Sequence, residues 1–287
     1  MNHIPVLLTE TMALLNPQPN EYFADGTLGG GGHAAAILER VGPSARFIGT
    51  DRDADAVARF TERFAKKFPR AAARAASYAS LPDLVDGKLD GLLLDLGFSS
   101  YQIDDPSRGL SFTHTGPLDM RYDRSGGPTA ADLVNSLSEA KLADAIYRYG
   151  EERSARKIAA AIVAARRKRK FTKTDDLVRT IDLVIGGRGK IHPATRTFQA
   201  LRILVNGELV ELEKILVALP RLMARGGRVA IISFHSLEDR LVKDAFRRLA
   251  ADGQAEILTK KPVTPSRGEV AANPRSRSAK LRAIRFL

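Results

Sequence analysis

At 287 residues, with 44% hydrophobic and 27% charged side chains, the chain has the composition of a folded globular protein with room for one large domain or two modest ones, which excludes fibrous and disordered classes. Cysteine is absent, which excludes disulfides, Cys-ligated metals and thiolate catalysis; no apolar run reaches the roughly 18 to 20 residues of a membrane span and no signal-peptide pattern opens the chain, so a cytoplasmic protein with no membrane partner is expected. The net charge of +12 is uneven, with Lys and Arg against Asp and Glu numbering 10 to 12 in residues 1–103, 19 to 12 in 104–204 and 11 to 4 in 243–287. That surplus suits a polyanionic partner, although a surface made basic for solubility accounts for it about as well.

In chain order, Glu21–Asp25 reads as a strand, followed by a glycine loop and a helix over His33–Arg40. Arg46–Asp51 is the second strand. Asp53–Phe68 is a helix, with Val57, Phe60, Phe64 and Phe68 at helical spacing, and Ala71–Ser77 is a weaker third strand. Leu89–Asp95, apolar almost throughout, is a strand buried on both faces. This alternation is that of a parallel sheet with crossover helices. The rhythm then breaks. Phe98–Gly127, rich in Gly, Pro, Ser and Asp, reads as a long ordered loop. Helices are predicted over Ala130–Asn135, Ser138–Tyr149, Glu152–Lys170, Thr174–Ile185 and Pro193–Glu213, with helix starts at Ser136 to Glu139 and Thr172 to Asp175. Strand signals resume at Gly227–Ser233, a helix follows over Leu237–Leu249, and Ala255–Thr259 with Leu281–Phe286 forms an antiparallel pair around an extended Lys260–Pro274 loop. The pattern is an α/β domain with a helical segment inserted.

The strongest local feature is Asp25-Gly26-Thr27-Leu28-Gly29-Gly30-Gly31-Gly32-His33, between a strand and a helix. Four glycines in a row admit a ligand to the backbone and leave amide N–H groups free at a helix start, where a bare tight turn needs only one or two. Gly29-x-Gly31-x-x-Ala34 also satisfies a dinucleotide fingerprint, with Asp51 placed to bind a ribose diol, so NAD and S-adenosylmethionine both fit. Asp95, ending the fourth strand before Leu96-Gly97-Phe98-Ser99-Ser100, favours the second: an amino-methyltransferase needs an acid and a compact turn of acceptors facing the target nitrogen. His235 follows the fifth strand on the ligand-binding edge, where a helix-start role for Ser236 and Glu238 and a chemical role compete. The five histidines show no metal-ligand spacing, so no protein-bound metal is expected. Arg166–Lys170 ends a helix, where cations are favoured with or without RNA.

Several longer strings together resemble the bacterial small-subunit ribosomal RNA cytosine-N4 methyltransferase family, the RsmH or MraW proteins. Besides the glycine loop they include His3-Ile4-Pro5-Val6-Leu7-Leu8, Leu94-Asp95-Leu96-Gly97, Gly116-Pro117-Leu118-Asp119-Met120-Arg121, Tyr149-Gly150-Glu151-Glu152-Arg153, Lys190-Ile191-His192-Pro193 through Arg202, Ser233 through Arg240 and Asn273 through Lys280. The resemblance implies a class I, Rossmann-like, S-adenosylmethionine-dependent methyltransferase domain over 1–103 and 205–287, with an inserted helical substrate-recognition domain over 104–204. It implies that Gly31, Gly32 and His33 contact the cofactor, Asp51 binds its ribose, Tyr78 flanks its adenine in place of the usual Phe, and Asp95 and Gln102 complete the site. Phe98 and Tyr101 stand where Val and Pro are usual, and Leu133 where Trp is common. The function implied is methylation of the exocyclic N4 amino group of a cytosine in the decoding region of 16S RNA, in free RNA or the assembled 30S subunit. Asp95 is expected to be the catalytic residue, and the class suggests a homodimer. The rival readings are a nicotinamide-dependent oxidoreductase, a non-catalytic RNA-binding or assembly protein, and an amino-methyltransferase of DNA.

Overall fold

Apolar runs with residues facing both ways, as in Leu92, Leu93 and Leu94, place seven strands in one sheet. They are β1 (Phe23–Asp25), β2 (Phe47–Asp51), β3 (Ala71–Ala75), β4 (Leu89–Asp95), β5 (Met223–Ser233), β6 (Ala255–Ile257) and β7 (Lys280–Phe286). A computed structural model describes residues 5–186 and 192–287; His3, Ile4, Lys190 and Ile191 of the motifs above lie outside them. The strand order is β3-β2-β1-β4-β5-β7-β6, with β7 antiparallel to both neighbours and the other pairs parallel. The chain divides into two compact units, Met1–Phe98 with Leu209–Leu287, and Ser99–Glu208.

In the first unit the helices are α1 (Leu8–Leu15), α2 (Gly32–Val41), α3 (Ala54–Phe64) and α4 (Leu81–Leu84). Ile37 and Leu38 of α2 and Phe60 and Phe64 of α3 join Phe23, Phe47 and Leu93 in one core, while Leu92 and Leu94 point into a second. Phe47, Phe60, Phe64 and Phe68 pack in series, with centroids 5.6, 5.0 and 6.3 Å apart, the first pair stacked and the other two tilted. Asp53 starts α3 by accepting from the Asp55 N–H. The helix α1 had no counterpart among the predicted elements, because eight residues are fewer than the window in which a helical period shows. Arg228 on β5 anchors it, donating to Leu15 O at 2.7 Å and Asn16 O at 3.0 Å while both terminal nitrogens reach Glu21.

The second unit is helical: α5 (Ser100–Asp104), α6 (Ala130–Ser136), α7 (Glu139–Gly150), α8 (Ala155–Lys168), α9 (Thr174–Ile185) and α10 (Ala194–Asn206). Leu142, Ile146, Ile158, Ile162, Leu177, Ile181 and Leu201 are buried. The predicted loop over Phe98–Gly127 holds α5, and Ser138, not Ser136, caps α7 by accepting from the Lys141 N–H. The predicted helix over Pro193–Glu213 divides at Gly207, which turns left-handed at φ 62°; α11 (Glu208–Leu222) then continues past the predicted end. Asn206 closes α10 on the preceding loop: its Oδ1 accepts from the Tyr122 N–H at 2.8 Å, and its Nδ2 donates to Met120 O at 2.8 Å and Arg202 O at 2.9 Å. Asn206→Ala is expected to lower stability by about 2 to 3 kcal/mol, because it strands buried backbone groups; equal denaturant midpoints for the two proteins would contradict this.

The remaining helices of the first unit are α11, in all but its first residue, α12 (Ser236–Ala251) and α13 (Arg267–Ala272). The predicted Lys260–Pro274 loop thus contains a helix, and Glu269 on it accepts from the Leu7 N–H at 2.7 Å.

Candidate active site

In this sheet the chain moves outward from β1 to β2 and β3 and then returns to β4 on the other side of β1. Strand order reverses between β1 and β4, and the carboxyl ends of two such strands are where open α/β sheets form their ligand-binding crevice. Asp25 ends β1, Asp51 ends β2 and Asp95 ends β4. The loop from Gly26 to Gly32 leads from β1 into α2. Gly31 adopts φ 72°, a left-handed conformation that glycine takes without strain, and Gly32 opens the helix. A Cβ on Gly26 would meet Leu94 and Tyr78, which places Tyr78, in the turn after β3, against the start of the loop.

Thr27 joins the two central acids. Its N–H and hydroxyl donate to Asp25 Oδ1 at 2.9 and 3.2 Å, and its hydroxyl accepts from the Asp95 N–H at 2.6 Å. Sequence reasoning missed Thr27, whose signal is only its position inside the glycine loop. Asp51 accepts from the Gly29 N–H at 2.8 Å and the Asp53 N–H at 2.9 Å, one on each oxygen, so each oxygen keeps a lone pair. His33, in the first turn of α2, lies with Nε2 3.7 Å from Asp95 Oδ2. Oδ1 of Asp95 is buried and has no hydrogen-bond partner among the described residues.

Gln102 lies in the helical unit, on α5, and is buried; its Oε1 accepts from the Ser99 N–H at 2.9 Å while Ser99 Oγ accepts from the Gln102 N–H at 3.3 Å. Of the residues singled out, Gly31, Gly32, His33, Asp51, Tyr78 and Asp95 belong to the sheet unit and Gln102 to the other. His235 is the N-cap of α12: its Nδ1 accepts from the Glu238 N–H at 3.4 Å, and Glu238 accepts from the Phe234 N–H at 2.9 Å. The helix-start geometry is present, with His235 itself in the role expected of Ser236.

Burial governs the charge of this crevice. It pushes the Asp25 carboxyl up to about 7, against the Thr27 hydrogen bonds that favour the ion, and raises Asp51 against its own N–H donors. Asp95 stands well above the ordinary carboxylate range, through burial first and then the negative charges of Asp25 and Glu238. A carboxyl raised in the folded state keeps a proton that the unfolded chain has already lost. Stability therefore falls as pH rises from the ordinary carboxyl range toward the folded value. For Asp25 that window runs from 3.8 to about 7, a shift worth on the order of 4 kcal/mol. The melting temperature of the cofactor-free protein is expected to decline across it, and to decline less in Asp25→Asn. Parallel curves for the two proteins would remove Asp25 from this account.

A seven-stranded sheet in this order, reversed only at β7, is the class I, Rossmann-like methyltransferase fold, whose methyl donor is S-adenosylmethionine. The chain belongs to the MraW methylase family, whose pattern matches residues 1–287. A protein of Sorangium cellulosum called Ribosomal RNA small subunit methyltransferase H is 50% identical over 99% of this chain and 90% of its own. Proteins of the same name from Magnetococcus marinus and Coprothermobacter proteolyticus are 46% and 48% identical, over 99% of this chain and 98% and 96% of theirs. Among solved structures, a putative rRNA-methylase from Clostridium thermocellum covers 100% of both chains at 11% identity and a TM-score of 0.49.

Proposed function

We propose that this protein methylates the exocyclic N4 amino group of a cytosine in the decoding region of 16S RNA, acting in the cytoplasm on small-subunit RNA or the assembled 30S subunit. The observation that carries the reading is the buried, unpartnered Oδ1 of Asp95 at the end of β4, beside the glycine loop and Asp25. The relatives' shared name supports the ribosomal substrate over DNA, and a methylase family sets the nicotinamide reading aside.

The crevice suits the cofactor. Left-handed Gly31 gives a loop whose backbone a ligand can approach, Asp51 has lone pairs for a ribose diol, and Tyr78 lies beside Gly26 as an adenine face requires. Gly31, Gly32, His33, Asp51, Tyr78, Asp95 and Gln102 are the residues proposed to hold it. Bound there, it supplies an electrophilic methyl on a sulfonium centre.

The amino nitrogen of cytosine is a poor nucleophile because its lone pair is delocalised into the ring. Asp95, aided by carbonyls of the following turn, accepts its N–H bonds and turns the lone pair out of the ring plane, once the base is flipped out of its stack. Asp95, whose ionised form burial disfavours, would hold its carboxylate at lower cost beside a positive charge and would take up the proton that the amino nitrogen releases on methylation. With no cysteine in the chain, ring methylation through a thiolate adduct is closed to it. The helical segment over 104–204 is proposed as the substrate-recognition domain, in a protein that works as a homodimer.

The test supplies radiolabelled S-adenosylmethionine and small subunits from a strain lacking this protein, followed by nucleoside mass analysis. Label in N4-methylcytidine is expected; label in another nucleoside would refute the target, and cofactor binding without labelling would favour a non-catalytic assembly protein.

A further inference from the structure

Helix α8 buries Ala155, Ile158, Ala159 and Ile162 and turns the opposite face to solvent. At 3.6 residues per turn that face carries Arg156, Lys157, Ala160, Ala164, Arg167 and Lys168, all exposed. Eleven residues make close to three turns, so Arg156 lines up with Arg167 and Lys157 with Lys168. The two cation pairs stand about 16 Å apart along the axis, with a low floor of alanine between them. Arg169 and Lys170, also exposed, extend the charge past the helix end.

The side chains of these six cations have no ion pair or hydrogen bond among the described residues, while four acids of the helical unit have partners of their own. On α7, Asp144 pairs with Arg148; on α9, Asp175 pairs with Arg179 and Asp176 accepts from the Lys173 N–H; Glu152 accepts from the Ser154 N–H and lies 3.7 Å from Arg196. The helix dipole favours Arg167 and Lys168 at the carboxyl end. It opposes Arg156 and Lys157, which occupy a first turn without an acid. The basic run is also held in place at both ends. Arg166 donates to Val134 O at 2.7 Å, and the backbone N–H and carbonyl of buried Phe171 both bond the Asn135 side chain, at 3.0 and 2.8 Å.

We propose that this face of α8, continued by Arg169 and Lys170, is a docking surface for the phosphate backbone of RNA; the proposal rests on the ribosomal-RNA reading above. Cation pairs about 16 Å apart are too far separated to share one phosphate, and match a continuous polyanion. The alanine floor lets a sugar–phosphate backbone lie close to the helix. The face has no large apolar side chain to insert, so a lipid surface gains nothing there beyond charge. Anchoring by Arg166 and Phe171 places the charges before binding and reduces the ordering cost.

The test uses the full chain as R156Q/K157Q, R167Q/K168Q and R169Q/K170Q, with unmethylated small subunits as the probe. Each pair is expected to raise the KM for subunits several-fold and to reduce the slope of log affinity against log salt by roughly 1 to 2, as loss of two phosphate contacts requires. R156K/R167K keeps the wild-type slope, and S-adenosylmethionine affinity measured on every variant checks the fold. Wild-type KM and slope in all three pairs would overturn the proposal. A wild-type protein that neither methylates nor binds subunits would overturn the ribosomal reading itself, and that failure is visible without any substitution.

Discussion

Asp95→Ala is expected to lower kcat for methyl transfer by about a thousandfold or more, a barrier increase near 4 kcal/mol, while the free protein melts at a higher temperature than wild type. Both effects have one cause. The Asp95 carboxyl sits in a buried pocket with Asp25 and Glu238 as negative neighbours, and one of its oxygens has no hydrogen-bond partner among the described residues. Such a group strains the empty fold and becomes useful only when an amino group brings N–H donors and a cation brings charge. Asp95→Asn keeps an acceptor oxygen of the same shape but cannot take up a proton as an acid does, so an intermediate rate with a flattened pH profile is expected. Unchanged turnover in Asp95→Ala would remove this residue from the chemistry. A drop in turnover with a lower melting temperature would instead mark it as a structural support.

Gly91→Ala should cost the fold about 3 kcal/mol or more, at the upper end of what overpacking a core produces. Gly91 lies in β4 opposite Phe23 of β1, and a Cβ there would run into the buried Phe23 ring. The ring is enclosed on the sheet face it shares with Phe47 and Leu93, so relief requires β1 to move away from β4. Those two strands carry Asp25 and Asp95, and cofactor affinity should weaken together with stability. Gly91→Ala combined with Phe23→Leu makes room for the added methyl and should recover part of the loss. Denaturant midpoints for the single and double variants measure both effects, and no change in the single variant would contradict the packing described.

The sheet and the acids at its strand ends were legible in the sequence because each depends on a local signal. Leu92, Leu93 and Leu94 read as a strand buried on both faces, and the structure sends Leu93 to one core and its neighbours to the other. Asp25 and Asp95 each follow an apolar run directly, and Asp51 follows one after Gly49 and Thr50, so the end of the run marked the edge of the sheet. What escaped depends on partners distant in sequence. Thr27 matters through Asp95, 68 positions onward, and α13 includes Glu269, which accepts from the Leu7 N–H 262 positions away. No periodicity records such pairings. The division of the predicted 193–213 helix was missed for a different reason: one glycine inside an otherwise helical pattern can be tolerated or can end the helix, and only the left-handed turn at Gly207 decides between them.

The neighbouring strands β4 and β5 are separated in the chain by roughly 130 residues, the whole of the helical unit among them. During synthesis at about 5 to 20 residues per second, β1 to β4 leave the ribosome many seconds before their next partner. For that interval the open backbone edge of β4, which carries Leu92 to Leu94, is a template for any extended apolar segment nearby. A nascent chain of this protein therefore passes through a period of exposure to aggregation that its mature fold conceals, and chaperone dependence should concentrate in that interval.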